Sequence, residues 1–198
     1  MWSSKTNDFE QKVNKMEITR SIVRICCFIF GPIVLASYWY GVSKMEDPMA
    51  LWGGIPENLR PANVFCMFIA ATGFLIMWWL FLYKWDPLVV ETLNWPWGES
   101  GSGGNARLLI GFLLVMIPSA FWLESTNFHI SNDYSWTPYL VIGVLTLAAI
   151  GNILLGLLAW SAFQEGIDGA IWAVIGAGML AIQVIINDAI WWSIKFPW

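Results

Sequence analysis

Charge is scarce in this chain. Lys, Arg, Asp and Glu make up 12% of its 198 residues, against about 25% in a soluble domain. So little charge cannot solvate a globular surface. The net charge is -4, with no basic cluster beyond the N-terminal tail, so nucleic-acid binding has no electrostatic support. Histidine is nearly missing. With His129 alone, bis-histidine haem ligation and histidine-rich diiron or copper sites within the chain are excluded. Cysteine is sparse too. Cys26, Cys27 and Cys66 lie in apolar runs without CxxC or Cys/His spacing, which gives neither a disulfide framework nor a zinc site. The Gly/Ser stretch Gly98–Gly104 lacks the GK[ST] that follows a phosphate-cradling loop, so a nucleotide site is not expected. Long polar stretches are also lacking, and none could form a separate domain.

What the chain has is apolar sequence, 58% of all residues. It falls into five runs at 22–42, 64–83, 108–123, 139–163 and 170–192. Most are about the 17–25 residues that an α-helix needs to cross a hydrocarbon core. The expected fold is an all-α integral membrane protein, one bundle of about five transmembrane helices over 21–198. Pro32 and Pro118 should bend the first and third helices, because proline lacks the amide proton and crowds the preceding turn. The third run is the shortest, so whether it spans is the open point of the topology.

The first 20 residues are expected to form a cytoplasmic amphipathic segment. Asn7 and Glu10 fit a helix-start box, and Phe9, Val13 and Met16 share a helical face beside Lys5, Lys12 and Lys15. Such a helix would lie on the membrane surface; a frayed polar tail is the alternative. The apolar run that follows exceeds a signal core of about 7–15 residues, so it reads as a retained first helix. Arg24 at its entry is expected to reach the headgroups along its aliphatic stem. With five spans, Lys5, Lys12, Lys15, Arg20, Arg24, Lys84 and Arg107 share one side. The positive-inside rule puts that side, with the N-terminus, in the cytoplasm.

The connections Ser43–Ala62 and Trp85–Ala106 carry five of the nine prolines and six of the seventeen glycines. The Gly/Ser run in the second reads as a flexible linker. Gln164–Gly169 is short enough to force an antiparallel hairpin of helices four and five. Asp168 is placed to cap the fifth, since a carboxylate there meets unpaired amides.

Lipid offers no hydrophobic drive between helices, so close packing of small residues must supply it. Gly169, Ala173, Ala177 and Ala181 recur at four-residue spacing on the fifth helix. Ala148, Asn152 and Gly156 do the same on the fourth. These two faces are expected to meet.

Polar residues inside a membrane are costly and so are the first functional suspects. Asn152, Gln183, Asn187 and Asp188 would form a pocket with one ionisable member, able to exchange a proton or pair with a cation. The competing reading leaves Asp188 at headgroup water, one turn before Trp191 and Trp192. A second set, Glu124, His129, Asp133 and Tyr134, reads as a solvated connection rather than an acid–base pair.

Fifteen tryptophans fit an interfacial belt at the helix ends. Paired surfaces such as Trp191-Trp192 could alternatively stack a flat sterol, porphyrin or pigment. In outline the chain is similar to the translocator/tryptophan-rich sensory family of small five-helix proteins, which bind porphyrins and sterols. The segment Asn187-Asp188-Ala189-Ile190-Trp191 resembles that family's last helix. The family's Pro/Trp-rich first loop has no counterpart here, so no residue roles are carried over.

No convergent catalytic set appears, and no metal or cofactor is expected, although a bound lipid or pigment is compatible with the sequence. The preferred expectation is a non-catalytic accessory or scaffold subunit whose partners are membrane lipids and other membrane subunits or itself. A lipophile-binding protein with Trp-lined grooves is one alternative. A small-molecule or proton-coupled transporter centred on Asp188 is the other.

Overall fold

Five helices in the computed structural model are long and apolar enough to cross a membrane. The structure describes residues 18–98, 101–132 and 134–198, and no strand occurs among them. Helix α1 covers Arg20–Lys44, and α2 covers Arg60–Trp79 and continues as a π-helical segment, Leu80–Lys84. A short α3 (Pro87–Thr92) precedes α4 (Gly104–Asn132) and α5 (Thr137–Gln164). Helix α6 (Ala170–Ala181) runs on into an 11-residue π segment, Ile182–Trp192, and a last turn, Ser193–Lys195. This is an all-α, multi-pass membrane bundle. The expected surface helix of the N-terminal tail lies outside the described residues.

The third run is the longest helix, not the shortest: α4 has 29 residues. Its polar stretch reads as an ending but is not one. The hydroxyls of Ser125 and Thr126 donate back to the Trp122 carbonyl at 2.9 Å each, which lets them stay in a helix. Both α1 and α4 run unbroken through Pro32 and Pro118.

Glycine contacts set the helix pairing. A Cβ at Gly151 on α5 would lie 2.7 Å from the Leu114 backbone on α4. A Cβ at Gly73 on α2 would lie 2.4 Å from the Gly176 carbonyl on α6, and one at Gly176 would lie 2.7 Å from the Gly73 carbonyl. These are backbone-to-backbone approaches that only glycine permits. On the expected α5–α6 faces, Ala148, Asn152, Ala173 and Ala177 are buried, while Gly156, Gly169 and Ala181 are half-buried. A Cβ at Gly156 would sit 3.4 Å from Ala177 Cβ. Helix α1 packs mainly on α4 and is the least buried of the five.

At the Arg20 end, α2 is tied to its neighbours by polar bonds. Arg20 donates to the Trp85 carbonyl at 2.8 Å. Arg24 does not reach out to headgroups: its Nε donates to the Leu82 carbonyl at 2.8 Å, its Nη2 donates to the same oxygen, and its guanidinium lies 4.5 Å from the Tyr83 ring centre. Carbonyls at a helix end lack intrahelical partners, and here arginines satisfy them. Buried Trp85 donates its Nε1–H to the Asp168 carbonyl at 3.0 Å. Asp168 contributes that backbone oxygen rather than a side-chain cap, and the α6 N-cap is Gly169, at φ 76°. The Gly/Ser stretch is pinned as it enters α4. Glu91 accepts from the Gly103 amide at 2.7 Å and from the Asn105 side chain at 2.5 Å.

Candidate functional site

The other end of the bundle holds the polar centre. It follows from the backbone of α6. In an α-helix, Asp188 would point about 140° away from Gln183, five residues earlier. The segment Ile182–Trp192 is π-helical, with i→i+5 bonding, which brings these two residues onto one face. Gln183 Nε2 donates to Asp188 Oδ1 at 2.7 Å and to Asn63 Oδ1 on α2 at 3.1 Å. Asn187 Nδ2 donates to Gln183 Oε1 at 3.1 Å. Gln183 thus uses both amide hydrogens and its carbonyl. It is 5% exposed, and a buried amide must be satisfied in this way. π-Helical turns are rare and occur often at functional sites.

Asp188 also lines a small cavity with Tyr38 from α1, Pro118, Ser119 and Trp122 from α4, and Leu145 from α5. The cavity measures about 20 Å³, room for about one water. The Ser119 hydroxyl donates to the Val115 carbonyl at 2.6 Å, leaving its oxygen as an acceptor. Trp122 Nε1 is buried without an acceptor among the described residues. Helices α1, α4, α5 and α6 all reach this point.

The sequence-derived cluster is therefore regrouped. Gln183, Asn187 and Asp188 come together. Asn152 is 2% exposed and lies on α5, but among the described residues its Oδ1 has no partner and it makes no bond to the cluster. Asn63 takes its place. In the sequence Asn63 stands between the connection Ser43–Ala62 and the apolar run 64–83, where a polar residue is unremarkable. Tyr38, Ser119 and Trp122 gave no signal because each is ordinary in a membrane helix.

A lid covers this end. Ile55 (2% exposed), Trp192 (4%) and Phe196 (6%) form a second core with Val141 and Leu145. Trp192 Nε1 donates to the Leu51 carbonyl at 2.8 Å, and the Gly54 amide donates to the Lys195 carbonyl at 3.1 Å. Trp192 is not at a lipid-facing belt. It meets Trp122, Phe196 and Trp198 at ring-centre distances of 5.7, 4.4 and 5.8 Å. Trp191 beside it is half-buried.

Glu124 and His129 lie within α4, not in a solvated connection, and Asp133 lies outside the described residues. Glu124 faces Lys44 at 3.5 Å. His129 is 4% exposed and meets Thr137 Oγ1 at 2.7 Å. That hydroxyl spends its proton on the Tyr134 carbonyl, also at 2.7 Å, so His129 Nδ1 carries the hydrogen of the shared bond. The ring packs against both Phe196 and Trp198. His129 is thus a satisfied structural histidine under the lid. No group of three His, Cys, Asp or Glu that could hold a metal occurs among the described residues.

No family model matches this chain, and neither does any curated protein or any solved structure.

Proposed function

We propose that this protein is a small proton-coupled membrane carrier in which Asp188 is the proton-binding group. The observation that carries the reading is the carboxylate of Asp188 held on a π turn by Gln183, beside a cavity reached by four helices. A carboxylate within a membrane bundle is expensive and typically marks an ion or proton path. By the distribution of Lys and Arg, the Arg20 end faces the cytoplasm, and Asp188 then serves the opposite half of the membrane.

Two observations weigh against the other readings. The small residues Ala173 and Ala177 are spent inside the bundle, so they offer no unused packing stripe to a partner. The cavity is far below the roughly 300–1,000 Å³ of pockets for drug-sized ligands, too small for a sterol or porphyrin. One observation does favour a partner protein: α1 is thinly packed, with Leu35 73% and Trp39 78% exposed. Gentle extraction followed by native mass spectrometry would report such a subunit directly.

The test of the carrier reading uses proteoliposomes with an internal pH dye, an imposed pH gradient, and amines, amino acids, sugars and carboxylates added in turn as candidate co-transported solutes. With at least one of these classes, wild-type protein should dissipate the gradient several-fold faster than Asp188→Asn. Equal rates for wild type, variant and protein-free vesicles with every class would remove the proposal.

A further inference from the structure

We propose that the cavity between α1, α4, α5 and α6 is a binding site for a single water molecule that joins Trp122 to Asp188. The inference rests on Asp188 being the exchanging group of the carrier reading, and it adds the relay. Its basis is an unbalanced set of hydrogen-bonding groups. Trp122 lines the cavity and its indole N–H is a donor with no acceptor among the described residues. Among the described residues the Asp188 side chain accepts one bond, from Gln183 to Oδ1, and an ionised carboxylate has room for several more. Ser119 Oγ has given its proton to Val115 and can only accept further bonds. Tyr38 brings a hydroxyl that can do either.

The chemistry of these groups selects the occupant. A metal cation would meet the Trp122 N–H head on. An anion would meet the carboxylate. An apolar guest would leave the buried N–H unpaired, which is unfavourable. The occupant must accept from Trp122 and donate to Asp188 and Ser119. In a space of about 20 Å³, that describes one water with three or four partners, the usual number for a buried water. This water places the Tyr38 hydroxyl one molecule away from the Asp188 carboxylate.

The experiment is NMR on full-length protein labelled with ¹⁵N-tryptophan, in lipid. The indole peak missing from Trp122→Phe identifies Trp122. If that variant does not fold, the indole peak displaced in both Tyr38→Phe and Ser119→Ala identifies it. The expected result is a dipolar cross-peak between the Trp122 indole proton and water, with the sign that separates it from chemical exchange. Asp188→Asn should displace the same indole peak. A Trp122 indole with no water cross-peak would overturn the site. That outcome is separable from failure of the carrier reading, because the cross-peak requires no proton flux and the flux assay requires no bound water.

Discussion

Trp192→Ala is expected to cost about 3–5 kcal/mol of stability, the range for removing a large buried aromatic. Trp192 is 4% exposed and touches three other aromatic rings. Its Nε1–H also holds the Leu51 carbonyl at 2.8 Å. Alanine would therefore leave a cavity and an orphaned carbonyl together. It would also loosen the lid where α6 meets the loop at Gly54. Trp39, 78% exposed on α1, is the matched control, and Trp39→Ala should change stability by no more than about 0.5 kcal/mol. Reversible unfolding in mixed detergent micelles measures both. Equal small losses at the two positions would mean that Trp192 is a belt residue and the lid does not exist as described.

Gly73→Ala is expected to destabilise by about 1–3 kcal/mol or more, the cost of forcing extra atoms into a packed interior. The added methyl would meet the Gly176 carbonyl at 2.4 Å and Met179 Cβ at 2.7 Å. The first obstacle is backbone, so the helices α2 and α6 must separate. That separation would also pull Asn63 from Gln183, which bond at 3.1 Å across the same pair. Gly178, exposed on α6, supplies the control of opposite sign. Among the described residues, a Cβ there meets nothing within 4 Å beyond its own helix turn, and alanine in an open helical position gains up to about 1 kcal/mol over glycine. Gly178→Ala should thus be neutral or slightly stabilising in the unfolding measurement that shows Gly73→Ala to be damaging. A tolerated Gly73→Ala would contradict the close crossing of α2 and α6.

Much of the bundle was legible because lipid constrains sequence strongly. Five apolar runs of spanning length had few other uses. Their ends were less legible. Ser125 and Thr126 look like a helix exit, yet their hydroxyls return to the Trp122 carbonyl and the helix continues. Arg24 looks like a headgroup anchor, yet the Leu82 carbonyl captures it. The polar centre was half legible. Gln183, Asn187 and Asp188 stand out as polar letters in an apolar run. Their joining was not readable, because it depends on an i→i+5 register that no helical periodicity reveals. Asn152 stands out equally and is buried on the face of α5 that meets α6, yet it makes no bond to the cluster among the described residues, because facing a helix does not fix which of its polar groups a side chain reaches. The tryptophans misled in a different way. Trp85 and Trp192 lie at helix ends, where a belt is expected, but each is buried and donates its N–H to a distant carbonyl.

The measurement that bears most directly on the Asp188 centre is a double-mutant cycle of Gln183→Met and Asp188→Leu, read by reversible unfolding. Each single change strands a buried polar partner, which costs about 1–3 kcal/mol. Removing both strands less than the two singles together. The double variant should therefore be more stable than additivity predicts, by about 1 kcal/mol or more. Additivity within about 0.5 kcal/mol, as for distant sites, would mean that Gln183 and Asp188 do not meet, and the π turn and the site built on it would fall together.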